Sequence, residues 1–206
     1  MQLLQGTDVV LNGETVGNVL VGEPSNAAAP FGAGTVPAYT LGIPKADTHD
    51  WTGIVEVFGR TFRTIGIPEE GIAANIPTPW HKRVRIEAVC ITGAVTFWER
   101  ETFTRHVCGQ VFVRDLRGRR TDKAGQTASG EVQVYLYAPL LEDGWHPAPG
   151  DLVVPCASDL TFDTTDERAV AESMKQLRAV HPGYAVVKTA APIMNGSTCD
   201  WEVTAG

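Results

Sequence analysis

The sequence predicts a mainly β protein, with two tandem small β-barrel-like domains and one α-helix inserted in the second. Short runs of Val, Ile, Thr and aromatic residues, bounded by Gly, Pro, Asn and Asp, recur through all 206 residues, as is typical of strands and turns. A single segment has helical periodicity, and the strand signals fall into two series with similar landmarks. We place the domains at residues 1–91 and 92–206.

The strand signals predict six strands in the first domain and seven in the second. Those of the first domain lie near residues 7–12, 16–22, 36–43, 53–58, 60–67 and 82–89. Those of the second lie near residues 93–99, 104–114, 131–139, 151–155, 158–162, 184–190 and 199–204. Because so few strands would otherwise leave a long open edge, we expect each domain to be a closed barrel or a strongly bent sheet.

The predicted helix lies near residues 165–180, in the second domain. Thr164 or Thr165 can cap its first turn, and two acidic residues follow at the positive end of the helix dipole. Its apolar stripe has three members at helical spacing: Val170, Met174 and Leu177. The sequence His-Pro-Gly at 181–183 ends the helix.

The two series share five landmarks in the same order, which predicts an internal repeat. "GNVLV" at 17–21 returns as "GQVFV" at 109–113, and the proline-ended "AYTLGIPK" returns as "QVYLYAPL". A Trp-Gly strand, a late proline and a closing Trp strand follow in both series. We expect the closing tryptophans, Trp80 and Trp201, to be core anchors.

Composition excludes several classes of protein. The chain carries 17 basic and 24 acidic side chains and a net charge of −7, which argues against a surface that grips nucleic acid throughout. The first residues lack the features of a signal peptide and no run is long enough for a membrane span, so we expect no membrane partner and a location in the cytosol. Four widely spaced cysteines favour reduced, mostly buried thiols.

Motifs for chemistry are few. The chain has no P-loop, no G-x-S-x-G elbow and no H-E-x-x-H helix, so we expect a protein that is not an enzyme, with no catalytic residue, cofactor or metal. "DTHD" at 47–50 offers His49 between Asp47 and Asp50, a possible metal or acid–base cluster, although polar residues are expected in such a loop. "PFGAG" at 30–34 is a weak phosphate signal and favours a docking loop instead.

Two long loops occupy equivalent positions in the two series, at residues 22–36 and 115–130, and loops of that length are usually functional or disordered. The first is small and neutral, and its docking or channel candidates are Glu23, Pro24, Phe31, Gly32 and Gly34. The second is basic, and its candidates for contact with DNA phosphates are Arg117, Arg119, Arg120 and Lys123. A solvated surface loop is the alternative for the second.

The first domain resembles the head-closure or stopper proteins of the head-to-tail connector of tailed bacteriophages. The resemblance rests on "NVLVGEPS", "AYTLGIPK", "GIVEVFGRTFRTIGIP" and "NIPTPWHKRVRIE", which follow the order of that family's motifs. His81 departs from the family, where an acidic residue follows the "PTPW" turn. The second domain is similar to a minor-capsid-type domain of phages, through "YLYAPL", "PAPGDLVV", "AVVKTAAP" and a closing "DWEV", with Asp200 in place of the usual His.

The resemblance implies a virion protein of the phage neck, at the head–tail interface, that is assembled in the cytoplasm of the bacterial host. Such a protein forms a homo-oligomeric ring, six- or twelve-fold, next to portal and adaptor proteins, retains packaged double-stranded DNA without reading its sequence, and offers a docking surface to tail terminator or tail-tube proteins. Six chains would supply twelve barrels between a twelve-fold portal and a six-fold tail. The alternatives are a tail terminator or other minor capsid protein, and, further off, an enzyme or a small-ligand-binding barrel.

Overall fold

The computed structural model describes residues 5–70, 80–116, 131–141, 145–195 and 198–206. The chain is mainly β and divides into two compact units, each with a closed six-stranded barrel. The first unit comprises Met1–Cys90 with Met194–Cys199, and the second comprises Ile91–Ile193 with Asp200–Gly206. The predicted fold class, two small tandem barrels with one helix in the second, is confirmed.

Seven strands form the sheet of the first unit: β1 (Thr7–Leu11), β2 (Glu14–Val21), β3 (Ser25–Ala28), β4 (Thr35–Pro44), β5 (Ile54–Val57), β6 (Arg60–Glu70) and β7 (Trp80–Ala88). Their order is β2-β1-β5-β6-β7-β4-β3, and the barrel closes because β2 also pairs with β4, with Leu20 opposite Gly42. β3 lies outside this ring of six, and among the described residues it pairs with β4 alone. In β5 the side chains alternate between the core and the solvent. A sheet with one face in contact with solvent requires this alternation.

The first barrel is filled by apolar side chains from all six of its strands and by Trp51, which follows the loop after β4. Trp80, at the start of β7, is 3% exposed, and its indole nitrogen donates a hydrogen bond to the carbonyl of Asn18 at 2.7 Å. A buried indole whose N–H has a partner loses no hydrogen bond on folding. The prediction that Trp80 is a core anchor is therefore confirmed.

The second barrel has six strands: β8 (Gly93–Trp98), β9 (Arg105–Asp115), β10 (Val132–Leu136), β11 (Leu152–Val154), β12 (Ala185–Asn195) and β13 (Thr198–Ala205). It closes in the order β10-β13-β12-β11-β8-β9. Read from its second strand, this order is β9-β8-β11-β12-β13-β10, which corresponds strand by strand to β2-β1-β5-β6-β7-β4 of the first barrel. The predicted internal repeat is confirmed at the level of topology.

The last strand of the second barrel, β13, carries a buried carboxyl group near its start. Asp200 is 0% exposed and accepts hydrogen bonds from the Tyr135 hydroxyl and from the backbone nitrogen of Ala138, both at 2.9 Å. A buried carboxyl group of this kind is tolerated only with such hydrogen-bond partners. The next residue, Trp201, is partly buried against the core and stacks on His146 with ring centroids 4.4 Å apart, so its prediction as a core anchor is confirmed only in part.

One helix, α1 (Glu167–Val180), lies between β11 and β12. Asp166 caps it, because its carboxylate accepts a hydrogen bond from the backbone nitrogen of Ala169 at 2.8 Å. The predicted caps Thr164 and Thr165 were wrong, and the side chain of Thr165 bonds to Asp163 instead. In the predicted stripe, Leu177 is fully buried, whereas Met174 and Val170 are partly buried. No helix in the described part of the chain has the length and apolarity to cross a membrane.

Two further sequence predictions were wrong. Residues 158–162 are not a strand, because this segment bonds to side chains of β8: the Ser158 nitrogen donates to Thr96 Oγ1 at 2.9 Å, and the Leu160 carbonyl accepts from the Trp98 indole at 3.1 Å. The cysteines are thiols, as expected, but not mostly buried. Cys108 is buried, two others are partly exposed and Cys156 is exposed.

Candidate functional site

The first arm, defined as residues 22–36, is an ordered hairpin and not the irregular loop that the sequence predicts. β3 pairs with β4 from Ser25 opposite Ala38 to Ala28 opposite Thr35. The Ser25 hydroxyl also donates to the Ala38 carbonyl at 3.1 Å. Two of the predicted docking residues, Glu23 and Pro24, are exposed at the bend between β2 and β3.

The tip of the first arm contains the other three predicted docking residues. Phe31, Gly32 and Gly34 have φ angles of 52°, 64° and 129°, and the first two lie in a short 3₁₀ turn, Pro30–Gly32. The turn closes through hydrogen bonds such as that from Ala29 N to the Gly34 carbonyl, 3.0 Å long. Gly32 and Gly34 are exposed and Phe31 is partly buried, so the tip presents backbone and one aromatic ring.

Charge and edge pairing define what the first arm can bind. Glu23 is its only charged residue, and no charge occurs between it and Lys45. β3 ends the strand order of its sheet, so among the described residues its outer edge has no neighbouring strand. An unpaired edge of small, neutral residues is a template for a further strand. The arm therefore suits contact with protein backbone better than contact with phosphate.

The second arm, residues 115–130, holds Arg117, Arg119, Arg120 and Lys123, all of which lie outside the described residues. Its base is described: Asp115 in β9 pairs with Val132 in β10, and the Leu116 nitrogen donates to the Glu131 carbonyl at 2.8 Å. The two arms thus leave their barrels at the same point, between the second and third strands of the repeat.

A further exposed feature of the first barrel is the β5–β6 turn, Phe58–Gly59. Both residues have positive φ, 51° and 70°, as a two-residue type I′ turn requires. The β1–β2 turn of the same barrel has φ angles of 50° and 89° and uses Asn12–Gly13, the favoured pair for this geometry. Phe58 is 69% exposed, so it occupies a costly conformation without burying its ring. Phe58 is therefore a candidate contact residue of the first barrel.

The "DTHD" segment forms a hydrogen-bonded cluster in the first unit. Asp47 accepts from the Trp51 indole at 2.7 Å and lies 2.6 Å from His49 Nδ1, while His49 Nε2 lies 3.5 Å from Glu14. Burial raises the pKa of Asp47, but the hydrogen bonds from Trp51 and His49 outweigh it and hold that pKa below its usual value. The hydrogen bond to Asp47, together with Glu14, raises the pKa of His49.

This cluster links the loop after β4 to the β1–β2 turn. Asp50, which the sequence placed in the predicted cluster, is exposed. The second carboxylate beside His49 is that of Glu14. Among the described residues, no group of three or more His, Cys, Asp or Glu side chains could hold a metal. Because His49 bridges two carboxylates, its main physical effect is a pH-dependent contact.

A polar cavity of about 300 Å³ lies at one end of the second barrel. Carboxylates in its lining bond to neighbouring groups of the protein. Asp151 accepts hydrogen bonds from the backbone nitrogens of Arg100 and Ala148 at 2.9 and 2.7 Å. Glu99 accepts from Thr102 and lies 3.1 Å from His106 Nε2, and these contacts, Thr102 first, lower the pKa of Glu99. The cavity lining therefore serves to hold the β8–β9 hairpin end against the loop before β11.

Sequence reasoning missed one constellation, in which His181 lies between Ser158 and Cys156. The partners are 23 and 25 residues apart along the chain, with α1 between them, so no spacing motif could reveal them. The turn at Phe58, in contrast, was open to detection, because an aromatic residue precedes Gly where Asn or Asp is usual.

In comparisons with known proteins, no protein-family model, no curated protein and no solved structure matches the chain.

Proposed function

We propose that the protein is a structural, non-enzymatic component of the neck of a tailed-phage virion. In this proposal it is a stopper or connector that forms a homo-oligomeric ring, six- or twelve-fold, between portal and adaptor proteins on one side and tail terminator or tail-tube proteins on the other. The ring retains packaged DNA and offers the surface to which the tail docks.

The observation that carries the proposal is the repeated barrel with an arm at the same topological point in each copy. A small closed barrel is a rigid body with no open edge in its wall, so it suits a ring subunit. The first arm adds an edge strand, β3, which a neighbouring protein can extend by strand addition. The stopper-like motifs of the first domain support the same assignment.

Charge is consistent with a ring through which DNA must pass. A net charge of −7 keeps the body of the protein from adhering to DNA, while four basic residues in the second arm offer a few phosphate contacts. The first arm, with Glu23 as its only charge, is assigned to contacts between proteins.

Removal of the chain from the virus that encodes it tests the proposal. Electron microscopy of the lysate should show separate tails and heads that have lost DNA, and adding back the protein should restore joined particles. Complete infectious particles formed without the chain would refute the assignment to the neck.

A shortened first arm tests the role of that arm. Because Ala28 pairs with Thr35, residues 29–34 can be replaced by Asn-Gly, which closes a two-residue turn on the same register. Joined particles should fall at least tenfold, whereas the exposed β5 substitution Glu56→Gln should leave their number unchanged. Equal numbers for both variants would exclude the arm tip from docking.

A further inference from the structure

The segment after β11 forms a turn that holds Cys156 at the surface of the second unit. Thr96, which is 0% exposed, donates its hydroxyl to the Cys156 carbonyl and accepts from the Ser158 nitrogen, both at 2.9 Å. Arg105 donates to the Ser158 carbonyl at 2.7 Å. These bonds fix the backbone on both sides of Cys156, and Cys156 itself is exposed.

His181 faces this turn from the end of α1. Its backbone nitrogen donates to the Leu177 carbonyl at 2.7 Å, which positions it as the residue that caps the helix. Its Nε2 lies 2.8 Å from the Ser158 hydroxyl and its Nδ1 lies 4.0 Å from the Cys156 sulfur. Ser158 is buried and its oxygen also accepts from the Leu160 nitrogen at 3.3 Å, so the imidazole has a fixed partner on one side and a thiol on the other.

We propose that Cys156 is a nucleophilic thiol that exchanges with small disulfides, with His181 as its proton acceptor and Ser158 as the positioning residue. When His181 Nε2–H donates to Ser158, the Nδ1 lone pair faces the thiol and can take its proton. The Cys156 thiolate then attacks one sulfur of the disulfide. The S–S bond breaks, a mixed disulfide forms, and the departing thiolate takes the proton from the imidazolium.

The charged groups that face the pair come from the helix and from the turn. On the helix side lie the carbonyl groups at the end of α1, a position that favours positive charge, and Arg178 in its last turn. On the turn side, Arg105 bonds to the Ser158 carbonyl, and Asp159, 3.5 Å from Arg105, offsets part of its charge. Ser158 is not itself the nucleophile, because it is 7% exposed and its oxygen is occupied by hydrogen bonds.

The magnitude of the effect follows from thiol chemistry. An ordinary thiol is roughly 3% ionised at pH 7. Even complete ionisation could accelerate the exchange only about threefold to fourfold at pH 7, because a weaker base is also a weaker nucleophile. The reference is the same cysteine in the unfolded chain.

The experiment uses the full chain and dithiodipyridine, an uncharged aromatic disulfide whose released thione is followed by absorbance. A fast phase of one thiol is expected, and mass spectrometry of peptides should place it on Cys156. The variant Cys156→Ser should lose that phase. Because Gly is well tolerated at a helix end, His181→Gly should fold, slow the phase about threefold and regain it when imidazole is added.

Two further variants separate positioning from general structure. Ser158→Ala should slow the phase less than His181→Gly does, by about twofold or less, and shift its pH–rate profile, and His146→Gln, in the same unit, should change nothing. A wild-type Cys156 that reacts no faster than in the unfolded chain would overturn the proposal. So would a fast phase that survives in His181→Gly or that maps to another cysteine.

Discussion

Replacing Phe58 by Asn should make the first barrel more stable, because it puts the favoured residue into an unchanged type I′ turn. A bulky residue at positive φ costs about 1–2 kcal/mol, and Asn tolerates this region better. The loss is the edge contact of Phe58 with Tyr39, whose ring centroids are 6.5 Å apart. At 69% exposure we put that contact at about 0.5 kcal/mol or less. The net gain is therefore about 0.5–1 kcal/mol.

Phe58→Ala is the matched control, because it removes the same contact without the preference of Asn for positive φ. Differential scanning calorimetry should place the first barrel of Phe58→Asn about 4–6 °C above that of Phe58→Ala, given about 4–8 °C per kcal/mol for domains of this size. If Phe58 is a docking anchor, both variants should lower the yield of joined particles. An Asn variant that is no more stable than the Ala variant would refute the reasoning about the turn.

Three further predictions concern other parts of the chain. Changing Arg117, Arg119 and Arg120 of the second arm to Glu should make filled heads leak DNA, measured as DNA that becomes sensitive to nuclease. Normal retention would assign the retention of DNA to residues 22–36 or to neither arm. His49→Gln should lower stability to urea below about pH 6.5 but not above the raised pKa of His49, since a raised pKa stabilises the fold only while the folded group is protonated. A constant difference from pH 5 to 9 would contradict this. Leu177→Ala should cost the second unit about 3 kcal/mol in urea unfolding, because its side chain is 0% exposed; a loss below about 1 kcal/mol would show that α1 is not packed as described.

Much of the fold is predictable from the sequence, because apolar and polar side chains must alternate along a barrel strand that has one face in contact with solvent. β5 reads Ile-Val-Glu-Val, and its two valines are buried while the glutamate is exposed. The repeat could be predicted for the same reason, since landmarks such as the closing tryptophans keep their order when the strands do. β3 could not, because "SNAA" has neither alternation nor strand propensity. It is a strand because the bend at residues 22–24 carries the chain back along β4.

The candidate site was predictable only where it is local in sequence. The arms could be found as long insertions, and Asp47 and His49 lie two residues apart and do meet. The pairing of His181 with Cys156 depends instead on where α1 ends relative to the turn after β11, a tertiary relation with no sequence period. In the sequence, Asp200 stands out only because it departs from a motif. The structure explains the residue, since Tyr135 and Ala138 donate hydrogen bonds to its buried carboxyl group.

The inserted helix explains why the second barrel departs from simple alternation. β11 is buried at all three positions, and the last four residues of β8 are buried in succession, whereas their counterparts β5 and β1 alternate. The cause is a second apolar cluster outside the barrel, in which Trp98, Leu152 and Val154 pack against Leu177 of α1. A strand covered on both faces reads as a continuous apolar run. The insertion of α1 and the apolar outer face of β8 and β11 therefore require each other, and a second unit without the helix would expose that face to solvent.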